Sequence, residues 1–68
     1  MTNTALLQDA ISKAGVTVTW LARELGITRE GLYNKINGKT EFKASEVAAM
    51  ARLLHLNQSQ REQIFFAQ

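Results

Sequence analysis

Side chains that can donate or accept hydrogen bonds gather on the outer side of one predicted helix, over residues 28–37. Leu32 and Ile36 are four residues apart, so both point inward from the same helical face. The outward arcs carry a guanidinium, a carboxylate, a phenol and two carboxamides, from Arg29, Glu30, Tyr33, Asn34 and Asn37. The chemistry that this helix presents to its surroundings is therefore hydrogen bonding and charge.

Groups arranged for catalysis or metal binding are not found elsewhere in the sequence. No nucleophile, histidine and acid form a recognisable motif, no glycine-rich loop could cradle a phosphate, and the acids are scattered singly. His55 is the single histidine and cysteine is absent, which argues against a metal site. A chain of 68 residues also leaves no room for a deep pocket. We therefore expect no enzymatic activity, no cofactor, no metal and no small-molecule ligand.

The polar helix follows another helical pattern across a tight turn. A buried face at helical spacing is formed by Val18, Leu21, Ala22 and Leu25. Gly26 stands where the chain must turn, because a residue without Cβ reaches positive φ at little cost. Thr28 can then cap the next helix with its side-chain oxygen. A helix, a glycine-containing turn and a second helix with a polar outer face is the form of a helix-turn-helix unit.

Three further helices are predicted from apolar stripes and capping residues. The first ends near Gly15 and contains Leu7, Ala10, Ile11 and Ala14. The fourth begins at about Ser45 and contains Val47, Met50, Ala51 and Leu54. The fifth begins at Asn57, which can cap it, or at Ser59, whose spacing to Glu62 matches a capping box. No segment alternates at period two, so we expect an all-α fold of five short helices in one domain, residues 1–68.

The net charge of +2 is small; it permits nucleic-acid binding without indicating it. Basic side chains in the middle third of the chain are Arg23, Arg29, Lys35, Lys39 and Lys43. They are either solubilising surface charges or a modest basic footprint beside the helix-turn-helix unit. No apolar run is long enough to span a membrane and no leader sequence begins the chain, so we expect a cytoplasmic protein.

The sequence suggests roles for four aromatic side chains, and three of them have an alternative. Trp20 lies beside the core face of the second helix, where it either packs half-buried or contacts a partner. Phe42 should anchor its loop to the core. Phe65 and Phe66 are adjacent, so one narrow helix face cannot bury both. Either one closes the core while the other is a candidate for a subunit interface, or both fold against the first helix.

The run from Thr17 to Lys39, with its blocks LARELGIT and LYNKINGK, resembles the phage repressor and Cro-like helix-turn-helix proteins of the XRE type. The later segments F-K-A-S-E-V, L-L-H-L and E-Q-I-F-F resemble the short phage members of that family. The resemblance covers nearly the whole chain. It implies a compact five-helix, repressor-like domain whose second and third helices form the helix-turn-helix.

The resemblance also implies that the third helix lies in the DNA major groove, with its N-terminal residues toward the base edges. Carried over by position, the base-reading candidates are Arg29, Glu30 and Asn34, with Thr28 and Tyr33 beside them. Arginine can pair with guanine O6 and N7, asparagine with adenine, and glutamate with the cytosine amino group. Glu30 either reads a cytosine or orients Arg29. Tyr33 can direct its hydroxyl to a phosphate or its ring to a thymine methyl group.

Phosphate contacts are implied in the turn after the third helix, through backbone amides and side chains. The candidates are Thr17, Lys35, Asn37, Gly38, Lys39, Thr40 and Lys43. Many relatives begin the second helix with a glutamine that binds phosphate, but this chain has Val18 there. We expect the neighbouring Thr17 to supply part of that contact.

These observations lead to one functional hypothesis and one alternative. The protein is expected to be a sequence-specific, double-stranded-DNA-binding transcriptional regulator in the bacterial host cytoplasm, associated with the nucleoid. It would act as a homodimer, at least on DNA, and occlude a phage or prokaryotic promoter at a palindromic operator. Cro-like relatives commonly dimerise through their C-terminal part, which makes Phe65 and Phe66 the interface candidates. The alternative is a protein-interaction module of the antitoxin or anti-repressor type.

Overall fold

The computed structural model describes residues 1–67, and in that range the regular structure is entirely helical. The helices are α1 (Thr4–Ala14), α2 (Val18–Leu25), α3 (Arg29–Ile36), α4 (Ala44–Leu53) and α5 (Gln58–Phe65). They pack into a compact body with a radius of gyration of 10.5 Å. The predicted all-α, five-helix fold is confirmed, as is the helix-turn-helix formed by α2 and α3. None of the helices described is long and apolar enough to cross a membrane.

Side-chain caps fix where the helices begin. Thr17 Oγ1 accepts a hydrogen bond from the Trp20 amide at 3.0 Å, which starts α2. Asn57 begins α5: its side chain accepts from the Gln60 amide at 2.8 Å, and the Gln60 side chain accepts from the Asn57 amide at 2.9 Å. The capping box expected between Ser59 and Glu62 is therefore wrong. Ser59 already lies inside the first turn of α5, where it cannot serve as the cap.

The helices bury one shared core. The side chains most completely removed from solvent are Leu7, Leu21, Leu32, Ile36 and Met50, which come from α1 to α4. Burying such a side chain contributes roughly 1.5–3 kcal/mol relative to leaving it exposed. Phe42 packs edge-on against Phe65 with the ring centroids 5.2 Å apart, so the loop after α3 is anchored to the core as predicted.

Two hydrogen bonds from the start of α1 hold elements that are distant in the chain. The Thr4 hydroxyl donates to the carbonyl oxygen of Ile36 at 2.7 Å. The Asn3 amide donates to the carbonyl oxygen of Ile64 at 2.6 Å. A carbonyl at the end of a helix has no partner within that helix, so Thr4 satisfies a group at the C-terminal end of α3 that would otherwise need water. The start of α1 therefore helps to position α3.

Three helices end in a glycine with positive φ or just before one, but α4 ends differently. His55 follows it with φ at 56°, in the left-handed region. The amide of Leu56 donates to the Ala51 carbonyl at 2.8 Å, and that of His55 donates to the Arg52 carbonyl at 3.3 Å. These two bonds form a Schellman motif, whose left-handed position glycine usually occupies. A residue with a Cβ is strained at such a position.

We expect His55→Gly to stabilise the domain by up to about 1 kcal/mol, because the strain removed exceeds the extra unfolded-state entropy of glycine. In a domain of this size that gain raises the melting temperature by several degrees. Thermal denaturation followed by circular dichroism measures it. His55→Ala keeps the Cβ and is the matched control, so equal stabilisation by alanine would show that strain at this position is not the cause.

Candidate nucleic-acid interface

The polar residues of α3 lie on the side that faces away from the core. Leu32 and Ile36 point inward and are almost completely buried, as their spacing predicted. Arg29, Glu30 and Tyr33 are exposed. Asn34, the remaining base-reading candidate within α3, is half-buried. The structure thus brings the base-reading candidates of α3 onto its first one and a half turns.

Thr28 has a structural duty at the start of α3. Its Oγ1 accepts a hydrogen bond from the Gly31 amide at 3.0 Å, which caps the helix. A Cβ at Gly31 would lie 3.0 Å from the same oxygen, so a larger residue would crowd the cap. The Thr28 hydroxyl hydrogen can still be donated to an outside acceptor. Thr28 is exposed and remains a candidate for DNA contact.

Arg29 is held by an aromatic ring. Its guanidinium carbon lies 5.7 Å from the centre of the Tyr33 ring, within the range of a cation–π interaction. Arg29 and Glu30 are both described by the structure, and no ion pair joins them. Of the two interpretations of Glu30, orientation of Arg29 is therefore not observed. The group that lies next to the Arg29 guanidinium is the ring of Tyr33.

The turn after α3 uses its own amide groups internally. Four successive amides donate to carbonyls of the last turns of α3: Asn37 to Tyr33 at 2.9 Å, Gly38 to Lys35 at 3.2 Å, Lys39 to Asn34 at 2.8 Å and Thr40 to Asn34 at 3.3 Å. The expectation that backbone amides of this turn meet phosphate is therefore wrong, because the unpaired carbonyls of a helix end require these donors. Gly38 has no side chain and is no longer a candidate. The exposed side chains of Asn37, Lys39 and Thr40 remain.

The Lys35 ammonium has two partners within the fold. Its Nζ lies 2.9 Å from Glu46 Oε1, and the exposed fractions of the two side chains are 14% and 11%. The same ammonium donates to the Glu41 carbonyl at 3.1 Å. That Lys35 contacts DNA stays a prediction, but its charge is already paired inside the domain.

Glu46 also holds the start of α4. The Lys43 amide donates to Glu46 Oε1 at 2.8 Å. Burial by itself raises the pKa of the Glu46 carboxyl, but the Lys43 amide and the Lys35 ammonium together lower that pKa below its ordinary value of 4.5. Sequence reasoning missed this role, although a glutamate three residues after a helix start is a recognised capping signal. The Lys43 side chain stays exposed as a phosphate candidate.

The start of α2 and the C-terminal part of the chain contain further residues that the sequence analysis singled out. Val18 packs against the core, so no side chain there reaches outward as glutamine does in many relatives. Thr17 is exposed but caps α2. Phe65 is only 4% exposed and belongs to the core, so it is not an interface residue. Phe66 is 58% exposed, and Trp20 is 36% exposed and outside the core cluster, so both side chains are accessible to a partner.

The fold and the outer face of α3 define a helix-turn-helix protein. A comparison with protein-family models agrees: residues 5–64 match the family described as "Helix-turn-helix domain". The chain belongs to this family, which indicates a DNA-binding regulator from a group that typically has no enzymatic activity. Searches of curated proteins and of solved structures gave no match. Within residues 1–67, no group of histidine and acidic side chains is placed to hold a metal ion.

The lowered pKa of Glu46 predicts how stability depends on pH. Its ion pair stabilises the fold fully above the ordinary pKa of 4.5 and is lost as the pH falls through the lower folded-state pKa. We expect Glu46→Gln to reduce the free energy of unfolding by about 1.5–3 kcal/mol at pH 7, because a charge-assisted hydrogen bond is weakened. The difference from wild type should shrink steadily below pH 4.5.

Urea denaturation at a series of pH values measures this difference. Glu24→Gln is the matched control, since Glu24 is exposed and has no ion-pair partner among the described residues. Its effect should be small throughout. A loss of stability in Glu46→Gln that stays constant down to pH 2 would contradict the assignment.

Proposed function

We propose that this protein is a sequence-specific, double-stranded-DNA-binding transcriptional regulator of the Cro and repressor type. In this proposal α3 enters the major groove. The observation that carries it is the exposed polar face of α3, formed by Arg29, Glu30, Tyr33 and the half-buried Asn34 on a helix whose opposite face is buried. A helix with its side chains is about 10–12 Å across, which matches the major groove width of about 12 Å.

The rigidity of α3 supports this role. Its N-terminus is capped by Thr28, its last carbonyl is bonded to Thr4, and its last turn is joined to α4 by the Lys35–Glu46 ion pair. A site that must match base edges needs its side chains on an element that does not move. The exposed face of α3 is therefore held in one orientation.

Each exposed group of α3 suits a base edge. Arg29 would donate two hydrogen bonds to guanine O6 and N7, and Asn34 would pair with the N6 and N7 groups of adenine. Glu30 would accept a hydrogen bond from the amino group of cytosine. The Thr28 hydroxyl would bond to either a donor or an acceptor on a base edge. Each bidentate pair contributes roughly 1–3 kcal/mol of discrimination.

Phosphate contacts would come from side chains at both ends of the helix-turn-helix unit. We assign them to Thr17, Asn37, Lys39, Thr40 and Lys43. Of these residues, only Lys39 and Lys43 are charged. Lys35 is left out because its charge is paired within the fold. Such contacts orient the protein on the duplex without reading its sequence. Two subunits would neutralise about four phosphates in this way, which makes the salt-dependent part of the affinity modest.

We further propose that the protein acts as a homodimer on a palindromic operator and occludes a promoter. Phe66 lines a groove of about 690 Å³ beside α5, together with Leu56, Arg61 and Glu62. An exposed phenylalanine next to a groove of this kind favours association with another copy. Arg61 and Glu62 carry opposite charges. A two-fold axis would place Arg61 of each copy against Glu62 of the other copy. Half-sites would then lie about 34–36 Å apart, which is one turn of DNA.

The alternative is a protein-interaction module of the antitoxin or anti-repressor type. It is favoured by the carboxylate of Glu30 on the outer face of α3, and by the exposed ring of Trp20 on α2. An acidic side chain is repelled by the phosphates that flank a groove, but it suits a basic protein surface.

The discriminating experiment begins with selection of retained sequences from a random duplex DNA pool. We expect a palindromic motif from the wild-type protein. The double variant Arg29→Ala/Asn34→Ala should lose at least about 30-fold in preference for that motif over unrelated DNA, since two base-reading pairs are removed. Its thermal melt should be nearly unchanged. Fluorescence anisotropy with labelled duplexes measures the preference.

Arg52→Ala is the control, because it removes an exposed arginine of α4 that has no assigned DNA contact. It should keep the full preference. If the double variant retains the motif, α3 is not the recognition helix. If folded wild-type protein enriches no sequence, the protein-interaction module becomes the better hypothesis.

The dimer is tested separately by Phe66→Asp. Placing a charge in the proposed apolar contact should weaken self-association by at least about tenfold while the monomer stays folded, because the side chain is exposed. Sedimentation equilibrium measures the dissociation constant. Leu6→Asp changes an exposed apolar residue of α1 and should leave association intact. If Phe66→Asp and Leu6→Asp weaken self-association equally, α5 does not form the interface.

A further inference from the structure

We propose that Tyr33 is a positioning residue for Arg29: its ring holds the guanidinium so that the two outer donors face one guanine of the DNA site. This inference rests on the proposed function and deepens it, because it names the residue that sets the preference at one base pair. It gives Tyr33 a role through Arg29 rather than a direct contact with a phosphate or a thymine methyl group.

The electrostatic position of Arg29 shows why it needs such support. Arg29 is the first residue of α3, at the end where the helix dipole is positive and a cation is disfavoured. Among residues 1–67, no carboxylate forms an ion pair with it. The negative face of the Tyr33 ring, 5.7 Å from the guanidinium carbon, is the compensating group.

The spacing of Arg29 and Tyr33 along the helix brings their side chains together. Residues four apart are neighbours on a helix surface, and helical side chains lean toward the N-terminus. The ring of Tyr33 therefore lies over the turn that carries Arg29. The ring borders a small groove of about 240 Å³ with Ile11 of α1, Val18 of α2 and Ile36 of α3. Tyr33 is 39% exposed, so part of it stays near the core.

The stack has a consequence for recognition. A free arginine side chain loses rotamer entropy when it is fixed by binding. A guanidinium that is already stacked has lost part of this freedom before it meets DNA, so less is lost on binding. A cation–π contact needs no hydrogen-bond acceptor, so the guanidinium keeps its donors for two parallel hydrogen bonds to guanine.

The test is a double-mutant cycle on the DNA selected by the wild-type protein. Affinity is measured for this duplex and for a duplex in which the guanine assigned to Arg29 is replaced. Tyr33→Leu should reduce the preference for guanine at that position by about 2- to 5-fold, the size of an exposed cation–π interaction. Tyr33→Phe keeps the ring and should leave the preference unchanged. In an Arg29→Ala background, Tyr33→Leu should have no further effect.

Two results would overturn the proposal. An equal loss in Tyr33→Phe and Tyr33→Leu would assign the role to the hydroxyl. A loss in Tyr33→Leu that persists in the Arg29→Ala background would show a direct contact between Tyr33 and DNA.

A measurement without DNA keeps this proposal separate from the proposed function. Nitrogen-15 relaxation of the Arg29 Nε–H group should show an ordered side chain in the wild type and in Tyr33→Phe, and a mobile one in Tyr33→Leu. Equal mobility in all three proteins refutes the stack even if DNA binding is found. An ordered Arg29 together with failure to select any DNA would refute the proposed function alone.

Discussion

The ion pair between Lys35 and Glu46 is the interaction on which the arrangement of the domain depends. It joins the last turn of α3 to the first turn of α4 at a nitrogen–oxygen distance of 2.9 Å, largely out of solvent. The same two side chains also bond to the Glu41 carbonyl and the Lys43 amide, at 3.1 Å and 2.8 Å. The loop between the helices is thereby tied to the ion pair at its distal end. Removing one partner would leave a poorly solvated charge, which costs more than the pair itself contributes.

This pairing decides how much charge is left for a partner. Lys35 and Glu46 cancel inside the fold, and Asp9 pairs with Lys13 on the exposed face of α1 at 2.9 Å. The remaining cations near the helix-turn-helix unit are Arg23, Arg29, Lys39 and Lys43, and exposed carboxylates lie among them. General attraction to a polyanion is therefore weak, and recognition would depend on a few directed hydrogen bonds. The orientation of each donor then matters more than the total charge.

Both ends of α3 have backbone groups that are satisfied within the protein. At the start, the Thr28 side chain accepts a hydrogen bond, and at the end, the amides of residues 37–40 donate to α3 carbonyls. What the C-terminal end of α3 offers to the outside is thus its side chains. The positive end of the helix dipole disfavours the Arg29 cation, and the cation–π contact with the Tyr33 ring offsets this effect. The cap and the stack together give the N-terminal turn of α3 one defined surface.

The sequence by itself determined the five helices and most of their boundaries, because those depend on interactions between near neighbours. Caps such as Thr17 and Thr28, and the turn at Gly26, act within four residues, and apolar spacing marks each inward face. Only the tertiary structure decided that Lys35 meets Glu46, that Thr4 bonds to Ile36, and that Phe65 rather than Phe66 is buried. The ion pair and the Thr4 bond join residues 11 and 32 positions apart. Local propensity says nothing about such pairs, since they form only when the helices pack around the shared core. The packing therefore determined which charged groups remain on the surface.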